Sequence, residues 1–136
     1  MKIKNLYFSP VKSLSFNNVD NLEIIKNIGI KNDRIFAFTN NLNLKDIELI
    51  KNNPLKREIY KFLSLKKYPE LNQYNFLLED NFLILEFENK IILKTDIDNQ
   101  HEVKILCNKL EDILPNINKI NLLKDSVNPF FDTMPN

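Results

Sequence analysis

Phe76-Leu77-Leu78-Glu79-Asp80-Asn81-Phe82-Leu83-Ile84-Leu85-Glu86-Phe87-Glu88-Asn89-Lys90-Ile91-Ile92-Leu93-Lys94 holds three apolar runs, Phe76 to Leu78, Phe82 to Phe87 and Lys90 to Lys94, parted only by Glu79-Asp80-Asn81 and Glu88-Asn89. Spacers this short cannot carry a helical crossover, so the runs must succeed one another as an antiparallel meander. Toward the C-terminus, Asn99 with Glu102 three residues on reads as a capping box. The helix it opens repeats Val103, Leu106, Cys107, Leu110, Ile113 and Leu114 at helical spacing until Pro115. Ile120 to Leu123 returns as a last strand, and Val127 to Asn136 reads as a tail with two prolines.

Toward the N-terminus, Lys2 to Phe8 alternates loosely and Pro10 ends it, giving a strand and then a bend. Val19 to Ile25 and Ile35 to Thr39 are two more strands, separated by the turn-rich stretch from Lys26 to Asp33. From Leu42 to Leu63 the pattern turns helical. Asn53 before Pro54 reads as the N-cap and first position of a short amphipathic helix that puts Leu55, Ile59 and Phe62 on one face. The chain has a single glycine, Gly29, which belongs where φ is positive, with Asn and Asp filling the other such turns.

Strands at both ends enclosing helices, without βαβ alternation, predict an α+β fold. Its expected form is a strongly bent or barrel-like antiparallel sheet with inserted short helices and one amphipathic helix in the C-terminal half. A doubly wound nucleotide fold is excluded on this reading. The 136 residues suit one domain with a real core, and no repeat, linker or low-complexity segment divides them.

Nineteen Lys and Arg against eighteen Asp and Glu leave a net charge of +1, which argues against a dedicated nucleic-acid binder. No window is apolar enough for a membrane helix and no signal peptide is readable, so neither secretion nor a membrane segment is expected. The single Cys107 cannot close an internal disulfide, which fits a reducing cytoplasm. Cys107 falls on the apolar stripe of its helix and reads as a core residue. His101, the one histidine, reads as a surface residue without catalytic partners. The basic run Lys51, Lys56, Arg57, Lys61, Lys66 and Lys67 is interrupted by Glu58 and Glu70 and reads as a solvated helix face.

Two segments point further. Ser9-Pro10-Val11-Lys12-Ser13 ends the first strand at a proline-stiffened bend, placing the Lys12 ammonium, the Ser13 hydroxyl and free backbone N–H groups at a sheet rim able to hold an anion. Gly29-Ile30-Lys31-Asn32-Asp33-Arg34 delivers a guanidinium fork at the start of a strand, with Asp33 placed to hold a neighbouring loop. Each is also short enough to be only a turn and a surface ion pair.

In order, these segments resemble the N-terminal domain that precedes the MOSC domain, named for the C-terminus of molybdenum cofactor sulfurase, in amidoxime-reducing-component-like proteins. Leu6 to Ser13 is similar to that family's Y-P-V-K-S motif, and Gly29-Ile30 with Asp33-Arg34 and Ile35-Phe36-Ala37-Phe38 to its G-L-x-x-D-R motif. Phe62 to Leu71 resembles its F-L-T-x-R-x-x-P-x-L segment, and Phe130-Phe131-Asp132 its F-S-D stretch. Lys66 stands where the family has arginine, and the link from Asn40 to Tyr60 is long for the family.

The resemblance implies a family-type domain over residues 1–128 and a tail, 129–136, like the start of a MOSC domain that is otherwise absent. It implies that Lys12, Ser13 and Arg34 hold the phosphate end of the molybdenum cofactor (molybdopterin), shared with a MOSC domain in cis or in trans. An electron-donor protein is a further implied partner. Oxidoreductase activity would need the molybdenum-ligating domain, so the chain alone is expected to be inactive. The alternatives are a free-standing protein-interaction module of the same fold and a small RNA-binding barrel resting on the run from Lys51 to Lys67.

Overall fold

The computed structural model describes residues 1–59 and 62–131 and is mixed α+β. In chain order come β1 (Leu6–Phe8), β2 (Asn17–Val19), β3 (Ile24–Ile25), β4 (Gly29–Ile30), β5 (Phe36–Thr39), α1 (Leu44–Asn52), a 3-10 helix (Pro54–Ile59) and a second one (Pro69–Gln73). Then come β6 (Tyr74–Glu79), β7 (Phe82–Phe87), β8 (Lys90–Asp96), α2 (Gln100–Ile113) and β9 (Asn121–Lys124). All strand pairs within sheets are antiparallel: β1 with β2, β3 with β4, β5 with β9, and β6-β7-β8 as a three-stranded meander. The described strands form four open sheets, with no closed barrel among them.

The meander matches the sequence pattern closely because its turns leave no alternative. Phe87 pairs with Lys90 across the two-residue loop Glu88-Asn89, and both loop residues have positive φ (48° and 65°), the backbone a type I′ hairpin demands. Gly29 (φ 118°) and Asn27, Asn32, Asn41, Asn116 and Asp80 take positive φ elsewhere, so Asn and Asp serve here where other chains use glycine.

β5 is the spine. All four of its residues are buried, and alternation sends Phe36 and Phe38 to one face and Ala37 to the other. Phe36 and Phe38 join the main core with Phe76, Leu83, Leu85 and the α2 residues Leu106, Cys107 and Leu110. Ala37 joins a smaller core with Ile47 and Ile50 of α1, Leu123 of β9 and Phe130. On its outer edge β5 meets Val11 in a parallel bridge through Phe36 and Phe62 in an antiparallel bridge through Thr39.

Several sequence expectations are corrected. The stretch Val19 to Ile25 is two strands, β2 and β3, not one. α1 is capped by Asn43, whose side chain accepts from the Asp46 N–H at 2.8 Å. Asn53 instead closes that helix, donating its N–H to the Leu49 carbonyl, because Pro54 disfavours helical backbone at the residue before it. Beyond it the chain forms a 3-10 helix rather than the expected amphipathic α-helix. Asn99 does cap α2, accepting from the His101 and Glu102 N–H groups, but Glu102 reaches past the cap to the Asp96 N–H instead of closing a reciprocal box. Phe130, expected in a tail, is buried.

The largest correction is Arg57, which the charge pattern assigned to a solvated face. It is buried, with its guanidinium stacked 4.2 Å from the Phe130 ring centroid. It donates to the Ile50 carbonyl at 3.1 Å, to the Asn128 carbonyl and to Asp125 Oδ2 at 2.6 Å. One side chain thus ties the end of α1 to the turn that delivers Phe130. Lys61 of the same basic run lies outside the described residues. Burial alone would raise the Asp125 pKa. Hydrogen bonds from the Asn128 N–H, the Arg57 guanidinium and the Val127 N–H outweigh it and hold the carboxyl below its ordinary value.

Replacing Arg57 with Met removes the donor to the two carbonyls and the cationic partner of Asp125, and is expected to cost about 3 kcal/mol in urea unfolding. Leu106→Ala, at a fully buried position, is expected to cost about 2–5 kcal/mol. A depressed carboxyl pKa contributes stability that is complete above the unfolded-state value, near 3.9 for Asp, and is lost as pH falls through the lower folded value. The gap in unfolding free energy between wild type and Asp125→Asn should therefore be largest near neutrality and close as pH drops below about 4.

Candidate functional site

The segment Ser9 to Ser13 is laced to the opening of β5 by backbone bonds in both directions. Arg34 N–H donates to the Ser9 carbonyl at 2.6 Å, Phe36 N–H to the Pro10 carbonyl at 3.0 Å, and Lys12 N–H to the Phe36 carbonyl at 2.8 Å. The buried Asp33 accepts the Ser9 N–H on Oδ1 at 2.9 Å, and the Ser9 hydroxyl donates to the Val11 carbonyl at 2.7 Å. Asp33 thus holds the neighbouring loop. The expected free N–H groups are a different matter: those of Ser9, Lys12 and Leu14 are all engaged within the protein. The Asp33 carboxylate takes the first, the bridge between Val11 and Phe36 the second, and a turn back to the Val11 carbonyl the third.

Two further segments close on this strap. Leu63 N–H donates to the Phe38 carbonyl and Leu65 N–H to the Ser13 carbonyl at 3.1 Å, while Phe130 N–H donates to the Arg34 carbonyl at 2.8 Å. Phe62 and Phe130 meet edge to face, ring centroids 5.7 Å apart.

The Lys12 ammonium lies 5.8 Å from the centre of the Phe62 ring and donates to the carbonyls of Phe130 (3.5 Å) and Phe131 (3.3 Å). Arg34 carries its guanidinium between Phe16 and Phe131, 5.8 and 5.7 Å from the two ring centres. Its contact with Asp33 Oδ2 is long, 3.5 Å, and the side chain is 25% exposed. Lys12 and Arg34 therefore both converge on Phe131, with Ser13 beside Lys12 in sequence. Ser13 (φ 57°) and Arg34 (φ 53°) adopt left-handed backbone, uncommon for their residue types and held here by the flanking hydrogen bonds. Chemically the arrangement is a half-buried cationic rim with aromatic walls, suited to an anion that carries a flat ring.

Sequence reasoning missed the aromatic walls. Phe16 is an exposed phenylalanine with no local mark, and Phe131 sits 97 positions from Arg34, so only the fold brings them together. Asp132 lies outside the described residues. Cys107 is buried, with burial foremost pushing its thiol up to about 11, and His101 is exposed. Among the described residues no group of three or more His, Cys, Asp or Glu is placed to hold a metal ion, and no helix is long and apolar enough to cross a membrane.

Compared with known proteins, the chain matches no family model, no curated protein and no solved structure.

Asp33→Ala strands the buried Ser9 N–H and is expected to cost about 1–3 kcal/mol in urea unfolding, whereas Asp33→Asn, which keeps an acceptor oxygen, loses less than half of that.

Proposed function

We propose that this chain is the cofactor-positioning and substrate-mouth domain of a molybdopterin-dependent oxidoreductase of the MOSC type, and that Lys12, Ser13 and Arg34 hold the phosphate end of the pterin. The observation that supports it is the meeting of the segments that carry the sequence resemblance. Positions 9–13, 34–38, 62–65 and 130–131 are hydrogen-bonded to one another around the two cationic heads. Chance motifs of four or five residues have no reason to assemble at one place.

The residues present fit such a group in part. Arg34 offers a fork whose existing carboxylate contact is long, so phosphate oxygens compete well for it. Lys12 adds a point charge that already reaches the backbone carbonyls of Phe130 and Phe131 beside it. Phe16 and Phe131 supply faces for a planar ring. When bound, the cofactor would supply two-electron chemistry at molybdenum. No thiolate for the metal comes from here, because Cys107 is buried and its thiol stays protonated. That ligand belongs to a MOSC domain in cis or in trans, with an electron donor as a further partner. On this reading the four short sheets are pieces of one strongly bent, barrel-like surface, and the setting is cytoplasmic.

The test is to purify the chain from a host that makes molybdopterin, oxidise the bound material and read pterin fluorescence. Wild type should carry pterin, and Lys12→Gln combined with Arg34→Gln should carry about tenfold less with an unchanged circular dichroism spectrum. Wild type without pterin, or a double variant that keeps it, would overturn the assignment.

A further inference from the structure

Away from the rim, a groove of about 1070 Å³ runs between α1 and α2 over β9. Its charge is one-sided. Among the described residues Lys45, Lys51, Lys104 and Lys119 line it against a single carboxylate, Glu111, while the whole chain carries only +1. Glu111 is itself occupied, accepting the Ile120 N–H at 2.8 Å. The rest of the lining mixes apolar side chains, Ile47, Val103 and Leu122 among them, with amides such as Gln100 and Asn108, and Leu44, the first residue of α1, is 81% exposed. A cationic border around a partly apolar lining is the complement of an acidic amphipathic segment.

The groove also bears on the conformation of its occupant. An extended peptide would need open backbone donors along β9, and the donor just before it, the Ile120 N–H, is already taken by Glu111 of α2. A strand adding there competes with that bond, which favours recognition by side chains. We propose that the groove between α1 and α2 binds an acidic amphipathic helix of a partner protein. Leu44 and the apolar side chains of the lining meet its apolar face, and the four lysines meet its carboxylates. This does not depend on the cofactor assignment.

The test uses two fluorescein-labelled synthetic helical peptides with leucines at i, i+3, i+4 and i+7, one bearing glutamates and the other lysines on its polar face, and a labelled uridine 15-mer. Their fluorescence anisotropy is measured against the full chain. The glutamate peptide should bind at least about tenfold more tightly than the lysine peptide and weaken between 50 and 200 mM salt. Lys45→Glu with Lys104→Glu should weaken it about tenfold, as should Leu44→Asp. Lys2→Glu with Lys4→Glu, the same charge change outside the groove, should leave it unchanged. Equal binding of the two peptides, binding of neither, tighter binding of the oligonucleotide, or an equal loss from the Lys2 and Lys4 changes would overturn the proposal.

Discussion

The strap from Ser9 to Ser13 lies against β5 by hydrogen bonds that run in both directions, and the rest of the candidate site depends on this pairing. Ser9 and Pro10 offer their carbonyls to Arg34 and Phe36, and Lys12 takes the Phe36 carbonyl in return. Pro10 has no N–H to satisfy, so burying this stretch costs one donor fewer. With Val11 fully buried on one side and Asp33 fixing the loop on the other, the side chains of Lys12 and Arg34 have little freedom in where they emerge. Preorganisation of this kind lowers what an anion must spend on ordering its own site.

The basic residues divide into three roles that their charge alone does not distinguish. Arg57 is buried and tied to Asp125, Asn128 and Ile50, so its charge is neutralised inside the fold. Lys12 is half-buried and reaches the backbone of Phe130 and Phe131. Arg34 keeps a partly exposed fork between two aromatic rings. The first holds the C-terminal turn in place, and that turn brings Phe131 to the other two. A structural arginine and a candidate binding arginine thus act on the same short segment, residues 125–131.

How much of this is legible in the sequence depends on how local each cause is. The meander from Tyr74 to Asp96 is legible because its loops are too short for any other connection, and α2 because Asn99 and its apolar stripe agree. The start of α1 is misplaced because Asn43 and Asn53 carry the same cap chemistry, and Pro54 draws weight to the wrong one. The burial of Arg57 is illegible, since two of its three hydrogen-bond partners lie 68 and 71 positions away and nothing local separates it from Lys56 beside it. Lys12, Ser13 and Arg34 stand out locally, through a proline bend and a glycine turn, but the aromatic company of Lys12 and Arg34 depends on long-range contacts.

The account turns on one anion being shared between the two cationic heads. Titrating the isotopically labelled chain with pyrophosphate and observing the amide and side-chain signals of Lys12, Ser13 and Arg34 by NMR tests this most directly. The account predicts that the three respond together along a single saturation curve, and that the ring signals of Phe16 and Phe131 move with them. Responses that saturate at different concentrations, or signals at these positions that do not move while others do, would contradict it.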